Sequence, residues 1–261
     1  MIIASKLTGY RSGERAIAEE LINTMLELDR NNDLLLFDRG YPSQDFIRFI
    51  ESNNLKYLLR VSNRFLKVVV NAPKEDQVIE VVYKNEKLKM RVLKFELYSG
   101  IIEILITNIF DKDFSVSDFK ELYFKRLGIE VKYNEIKSKL QIENFTGETP
   151  IAIEQDFYAT MYLANMVSLA KKDAQQIIEE KYKDKKLKHE YKVNTNVLIG
   201  KLKDNLILLL LERNSRKRSK MLKYIESKIS RNIIPIRTGR KFKRRIKSTE
   251  TQNVITKKRA L

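Results

Sequence analysis

The chain has 261 residues, enough for one good-sized core with accessory pieces. It contains 51 Lys and Arg against 34 Asp and Glu, which gives a formal net charge of +17, and it has no cysteine. This composition excludes disulfides and thiolate zinc fingers, is compatible with a reducing cytoplasm, and favours an anionic partner.

The first predicted elements are typical of an α/β layer. Ile2 and Ile3 have the apolar character of the end of a strand, and a helix is predicted from Ser12 through Leu28. The wholly apolar run from Leu34 to Phe37 predicts a short strand that is covered on both faces.

An aspartate closes this strand. Asp38 lies at the carboxyl end of the run, where open α/β sheets gather ligands and metals. The Gly40-Tyr41-Pro42 turn then leads into a helix capped by Ser43. The residues by themselves favour the simpler interpretation, an aspartate that closes a turn.

A β-rich stretch follows. Turn-forming breaks separate four segments rich in β-branched and apolar residues: Val68–Val70, Val78–Val82, Leu88–Leu97 and Ile101–Thr107. A free-standing β meander is compatible with this pattern.

The next predicted helix starts at a Ser117 cap and contains four polar residues at offsets of three, seven and fourteen: Tyr123, Arg126, Glu130 and Lys137. On one helix these side chains fall within an arc of about 60°. A carboxylate between phosphate-binding groups suits phosphodiester chemistry with a divalent cation, and a solvated helix face is the alternative.

The same helix has an adjoining apolar stripe, which predicts docking on a sheet. The stripe consists of Leu122, Ile129, Tyr133, Ile136 and Leu140. Gly128 lies in mid-helix, where glycine is unfavourable, and therefore predicts close packing or close approach of a ligand backbone.

The string LYFKRLGIEVKYNEIKSK resembles the Y-x2-R-x3-E-x6-K signature of bacterial insertion-sequence transposases, the IS-four-like branch of the DDE recombinases. DRGYPS is similar to the stretch around the second catalytic aspartate of that family. The resemblance implies that Asp38 and Glu130 hold Mg²⁺ or Mn²⁺. It also implies that Tyr123, Arg126 and Lys137 contact DNA phosphates, with Arg39 as a weaker candidate.

The resemblance implies an α/β fold with an RNase H-like core in residues 1–61 and 113–150 and a β-rich insertion in residues 62–112. ASKLTGYRSGERAIAEEL matches the piece just after the strands that bear the family's first aspartate. The expectation is therefore an incomplete core, an N-terminally truncated transposase and little or no catalysis by this chain alone.

The C-terminal part is predicted to be helical and basic. Residues 151–261 contain 28 basic and 11 acidic residues, and residues 1–150 contain 23 of each. Helices are predicted over Phe157–Lys181 and Asn196–Ser230 within a helical region at 151–230, and the Arg213–Lys220 run suits DNA-backbone contacts. The basic tail, 231–261, is predicted to be disordered in isolation; it either clamps DNA or is an unstructured remnant.

The predicted function is metal-dependent DNA end cleavage and strand transfer, with double-stranded transposon ends and target DNA as partners. The alternative is a non-catalytic DNA-binding or oligomerising regulator, which acts as a homodimer or in mixed dimers with a full-length transposase. A generic basic RNA-binding protein would leave the spacing from Tyr123 to Lys137 unexplained. No membrane partner is expected, because the most apolar run, Leu206–Leu211, is far shorter than the ~20 residues of a membrane span.

Overall fold

The computed structural model describes residues 1–9, 11–183, 185 and 189–236. The chain divides into two units, and the division falls after Lys132, inside a helix. The sheet unit is Ile3–Lys132, and the helical unit is Tyr133–Leu261 together with Met1–Ile2.

The sheet unit alternates helices and strands as far as α3, continues with three consecutive strands and ends in two consecutive helices. Its elements in chain order are α1 (Glu14–Glu27), β1 (Leu34–Phe37), α2 (Gln44–Ser52), β2 (Lys56–Val61), α3 (Lys67–Val70), β3 (Asp76–Tyr83), β4 (Glu86–Glu96), β5 (Ile102–Thr107), α4 (Val116–Phe124) and the first part of α5 (Leu127–Ser138).

The five strands form one mixed sheet in the order β1-β2-β5-β4-β3. β1 pairs with β2 in parallel, and the other pairs are antiparallel. Strands β3 to β5, from the predicted insertion, therefore lie in the same sheet as β1 and β2. The predicted boundary between core and insertion stays a prediction.

One face of this sheet is covered by α1 and α2. The Ser43 hydroxyl accepts a hydrogen bond from the Phe46 amide at 3.1 Å, which caps α2 as predicted. Phe46, Ile47 and Ile50 are spaced to share one side of this helix and are almost fully buried. They pack in one core cluster with the strand residues Tyr57, Leu59, Met90, Val92 and Ile106.

The opposite face is covered by α4, whose Phe119 and Tyr123 pack against Leu58, Leu93 and Leu105. Side chains alternate between the two faces of a strand. Residues two positions from this cluster, Arg60 on β2 and Glu103 on β5, therefore lie on the α4 face of the sheet.

The helical unit contains the rest of α5, then α6 (Pro150–Tyr182), β6 (Tyr191–Val193), α7 (Thr195–Leu211), α8 (Ser215–Arg231) and β7 (Ile233–Pro235). The Thr149 hydroxyl caps α6, and Pro150 fits the first turn because that turn does not need its amide. The shared core contains Ala164, Val167, Leu198, Leu202, Ile225 and Ile229. Among the described helices, none is both long enough and apolar enough to cross a membrane.

The predicted α/β class is confirmed by the mixed sheet and its helices. Two strand predictions are wrong. Ile2 and Ile3 lie outside regular strands, and the Ile2 backbone instead exchanges two hydrogen bonds with the side-chain amide of Asn165, at 2.6 and 2.7 Å. Val68–Val70 belongs to the short helix α3, which buries Val69 alone of the three, so tertiary packing outweighs the β propensity of valine.

In the helical unit, the helix predicted over Phe157–Lys181 is confirmed within α6. The stretch predicted over Asn196–Ser230 is two helices, because the Asn214 side chain accepts hydrogen bonds from the Arg216 and Lys217 amides and starts α8.

The tail prediction is wrong for its first residues, since β7 pairs with β6. From residue 237 onward the tail lies outside the described residues, as do residues 184 and 186–188.

Candidate active site

Three charged residues meet at one edge of the sheet because of strand direction. Asp38 follows the carboxyl end of β1, and Arg60 lies near the carboxyl end of the parallel strand β2. β5 runs antiparallel to β2, so Glu103, near the start of β5, reaches the same edge. Nη1 of Arg60 lies 3.6 Å from Oδ1 of Asp38, and the Glu103 carboxylate accepts hydrogen bonds from Nε and Nη2 of Arg60.

Tyr123 brings α4 to this edge. Its ring lies in the core between α4 and the sheet, and its hydroxyl donates a hydrogen bond to Oδ1 of Asp38 at 3.3 Å. Burial, reinforced by the Asp38 carboxylate, raises the pKa of Tyr123 to about 12. Tyr123 therefore remains a neutral hydrogen-bond donor at physiological pH.

The four signature residues do not share one continuous helix, which corrects the prediction. α4 ends at Phe124 and α5 begins at Leu127, with Arg126 in the turn between them. Backbone hydrogen bonds in this turn span three residues, including those from Arg126 to Tyr123 and from Gly128 to Lys125. The tighter turn, next to a helix-weakening glycine, changes the relative direction of the side chains.

Three related predictions about this segment concern Gly128, the apolar stripe and the Ser117 cap, and the last two are wrong. A Cβ placed on Gly128 would meet nothing within 4 Å, so this glycine does not mark close packing, and close approach of a ligand backbone stays a prediction. The apolar stripe does not dock as one surface, because Ile129 and Tyr133 are exposed while Ile136 and Leu140 are buried in the helical unit. α4 starts at Ser115 rather than Ser117, since Ser115 forms a capping box with Asp118.

Arg126 links the two predicted acidic residues. Its Nη2 donates to Oε1 of Glu130 at 3.0 Å, and its guanidinium carbon lies 5.4 Å from the centre of the Tyr123 ring. Burial opposes the charge of Arg126, but Tyr123, Asp38 and Glu130 together raise the pKa of its guanidinium. The two acidic residues thus interact with the same cation.

Asp38 is charged because several donors surround it. Partial burial acts to raise its pKa, but the Arg39 amide at 2.7 Å, the guanidinium groups of Arg126 and Arg60, and the Tyr123 hydroxyl together lower it. The arrangement can hold a carboxylate in a fixed orientation and can offer guanidinium donors to an anion such as a phosphate.

The other two predicted DNA-binding residues are placed differently. Arg39 is exposed and contacts Asp38 through its backbone amide. Lys137 lies in the part of α5 that belongs to the helical unit, where its Nζ forms an ion pair with Oε1 of Glu143 at 2.7 Å. The structure therefore brings together Asp38, Tyr123, Arg126 and Glu130, and it gives Lys137 another partner.

Arg60 and Glu103 were not predicted as site residues. A signal is present in the sequence, because each is a single charged residue inside an apolar run: Leu58–Val61 surrounds Arg60, and Ile101–Ile106 surrounds Glu103. Charged residues are rarely buried unless they are paired, so two such residues of opposite sign in one sheet predict a partnership.

The predicted Mg²⁺ or Mn²⁺ does not fit the side chains as they are arranged. Such ions prefer six oxygen ligands, commonly one or two protein carboxylates together with waters and substrate phosphates, and the carboxylates must be free to face the ion. Within the described part of the chain, no cluster of three or more His, Cys, Asp or Glu residues could hold a metal ion. Arg60 and Arg126 instead supply positive charge to Asp38, and Arg126 supplies it to Glu130.

Comparison with known protein families gives one match. Residues 1–166 match the family model of the transposase DDE domain, which covers more than half of the chain. The matched region includes the whole sheet unit and ends within α6. No curated protein matches the chain.

Proposed function

The chain belongs to the family of transposase DDE domains, and on this basis we propose that it acts on DNA as the catalytic domain of an insertion-sequence transposase with weak catalysis of its own. Asp38 and Glu130 are the acidic residues of the proposed site. The proposed reaction class is phosphodiester hydrolysis at a DNA end, followed by attack of the freed 3′-hydroxyl on a target strand. Members of the family normally use a divalent metal ion.

The observation that supports this proposal best is the shared guanidinium of Arg126. It donates to Glu130 at 3.0 Å, and its charge acts on Asp38, although the two acidic residues lie far apart in the chain. One cation that interacts with two carboxylates from distant parts of the chain, beside a largely buried tyrosine, supports a localised charged site over a solvated helix face.

In the proposed function, this chain's own residues bind and orient the strand. Arg126 has a planar set of donors that matches two phosphate oxygens, and Tyr123 provides a neutral hydroxyl next to it. Arg39 is exposed enough to contact a neighbouring phosphate, and Lys137 of the helical unit is exposed enough to make a phosphate contact of its own. Weak catalysis is proposed because guanidinium groups already interact with both carboxylates.

A cleavage assay tests the site assignment. The full chain is incubated with supercoiled plasmid and Mg²⁺ or Mn²⁺, and nicked and linear products are quantified. We expect slow nicking that falls by about a hundredfold in Asp38→Asn and in Glu130→Gln, because each removes an anionic oxygen ligand. Glu121→Gln, an exposed glutamate on α4, serves as the matched control and should retain the activity.

Nicking that persists in both acidic variants would rule out the proposed site. Rapid nicking by the unmodified chain, lost in Glu130→Gln, would support the site and contradict the proposed weakness.

The second candidate function is a non-catalytic DNA-binding or oligomerising regulator of a full-length transposase. The specific observation in its favour is the lack of a metal-binding carboxylate cluster among the described residues, together with the guanidinium partners of Asp38. Tight binding of a labelled duplex without any nicking that depends on Asp38 would favour this candidate. A homodimer, or a mixed dimer with a full-length transposase, would be detected by light scattering of the purified proteins.

A further inference from the structure

The buried ion pair between Arg60 and Glu103 has no role in the proposed binding of DNA. The two side chains come from neighbouring antiparallel strands and lie on the α4 face of the sheet. Their side chains are 18% and 11% exposed, respectively. The pair is therefore largely desolvated, and the position of each partner is strongly constrained.

The geometry of the pair aims the remaining charge of Arg60 at Asp38. Glu103 accepts from Nε and Nη2, the two donors on one edge of the guanidinium. The third nitrogen, Nη1, is left on the side where Oδ1 of Asp38 lies at 3.6 Å. A bidentate pair fixes the plane of a guanidinium as well as its distance, so Glu103 determines where the Nη1 group points.

A second guanidinium acts on Asp38 from another element. Arg126 lies in the turn between α4 and α5, with a side chain that is 13% exposed. Its Nε is buried without a hydrogen-bond partner in the described part of the chain. Asp38 therefore experiences the positive charges of both Arg60, at 3.6 Å, and Arg126, and a divalent cation at this carboxylate would have to bind against them.

We infer that Arg60, oriented by Glu103, is a positioning residue that neutralises Asp38 and opposes the binding of a divalent cation at this carboxylate. This inference rests on the proposed function, in which Asp38 is a metal ligand. A divalent ion at Asp38 would face the repulsion of a guanidinium whose orientation is fixed by Glu103. Removal of the Arg60 charge relieves this repulsion, whereas removal of the Glu103 charge leaves Arg60 to pair with Asp38 alone.

Removal of the Arg60 charge and removal of the Glu103 charge are therefore predicted to have opposite effects on metal affinity. Mn²⁺ binding to the full chain is measured by isothermal titration calorimetry at constant pH and low salt. We expect Arg60→Gln to bind Mn²⁺ about tenfold more tightly than the unmodified chain, the order of effect that a neighbouring charge has on a carboxylate. Glu103→Gln should bind it more weakly. A merely structural role would weaken binding in both variants.

A double variant and two controls complete the test. Arg60→Gln combined with Glu103→Gln keeps a neutral hydrogen-bonding pair without an uncompensated buried charge, and it should also bind Mn²⁺ more tightly than the unmodified chain. Arg48→Gln removes another arginine of the sheet unit, one that pairs with Glu86, and should leave the affinity unchanged. Asp38→Asn, introduced into each variant, should abolish the binding.

The outcomes separate this inference from the proposed function. If binding depends on Asp38 but neither Arg60→Gln nor the double variant binds more tightly, the inference is overturned and the proposed site remains. If Mn²⁺ binding does not depend on Asp38 in any variant, the metal-ligand assignment of Asp38 fails and the inference fails with it. An absence of Mn²⁺ binding in every folded variant also overturns the inference.

Discussion

In the sheet unit several charged side chains are buried and paired, whereas in the helical unit a run of basic residues lies on the surface. Arg91 is only 4% exposed, and the side chains of Arg60 and Glu103 are 18% and 11% exposed. By contrast, Arg216, Lys217 and the other basic residues at the start of α8 are all exposed. Buried charges fix the geometry of their neighbours, and exposed charges create a field that salt screens. The two units are therefore expected to respond differently to the removal of a charge.

The largest effect is expected at Arg91, on β4. Its guanidinium donates to Asp76 and to the carbonyl oxygens of Asp111 and Phe114 at 2.6 and 2.8 Å, and it lies 5.1 Å from the Phe119 ring centre. Arg91→Met should lower the free energy of unfolding by about 3–5 kcal/mol, because it leaves Asp76 and two carbonyl groups without their donor. Denaturation by urea measures this loss.

The matched control is Arg48→Met, whose partner Glu86 is mostly exposed. Its cost should stay within about 1 kcal/mol, since exposed ion pairs contribute little. Equal losses in the two variants would remove the distinction between buried and surface charge in the sheet unit.

The second effect concerns the surface charge of the helical unit. Replacement of Arg216, Lys217, Arg218 and Lys220 by Gln should weaken binding to a random-sequence duplex by about ten- to a hundredfold at moderate salt. The slope of log affinity against log salt should become shallower by about 2 to 4, because fewer counterions are released. Fluorescence anisotropy of labelled DNA at several salt concentrations measures both quantities.

The control is a variant of the sheet unit from which the same number of positive charges has been removed. It replaces four exposed lysines by Gln: Lys56, Lys67, Lys74 and Lys112. Its affinity and salt slope should change much less if the helical unit provides the main electrostatic contact. The same loss in both variants would show that net charge matters and its location does not.

The third effect is the loss of stability when the N-terminal cap of α4 is removed. The sequence predicted Ser117 as the cap, whereas Ser115 caps the helix in the structure. Ser115→Ala should reduce the free energy of unfolding by about 1 kcal/mol, because it removes the hydroxyl of the capping box with Asp118. Ser117→Ala changes an exposed residue inside the helix and should have no cost, since alanine has the higher helix propensity. The reverse order in thermal or urea denaturation would support the cap predicted from sequence.

The smallest effect is a pH dependence at Asp38. The pKa of this carboxyl is lower in the folded chain than its ordinary value, so its contribution to stability is present above about pH 4 and is lost as the pH falls through the folded value. The difference in unfolding free energy between the unmodified chain and Asp38→Asn should therefore shrink as the pH is lowered below about 4. A difference that stays constant or grows in acid would contradict the charge pairing around Asp38.

The sequence-based predictions agree best with the structure where the residues that determine an element lie within one short segment. The run Leu34–Phe37 is a strand, Ser43 caps α2, and α6 contains the predicted helix. Apolar period, capping residues and turn formers act over a few neighbouring positions, so they can be recognised without knowledge of the rest of the fold. The motifs around Asp38 and Glu130 likewise indicated the transposase DDE family, to which residues 1–166 are matched.

The break between α4 and α5 was harder to predict from the sequence. The offsets from Tyr123 to Lys137 fit one helix, but the ring of Tyr123 is held in the sheet core while Lys137 lies in the other unit. The chain instead forms two helices, α4 and α5, with a turn at Arg126. Periodicity alone cannot show which core each half of a segment joins.

The α/β class and most element types could be predicted from the amino-acid sequence alone, as could the basic character of the C-terminal part and the motifs of the family. The pairing of Arg60 with Glu103, 43 residues apart and beside Asp38, becomes evident only in the folded chain. The same is true of Arg126, which contacts Glu130 from a turn rather than from mid-helix. The physical reason is that these contacts depend on strand order and direction, which arise from packing across the whole sheet rather than from any local stretch of residues.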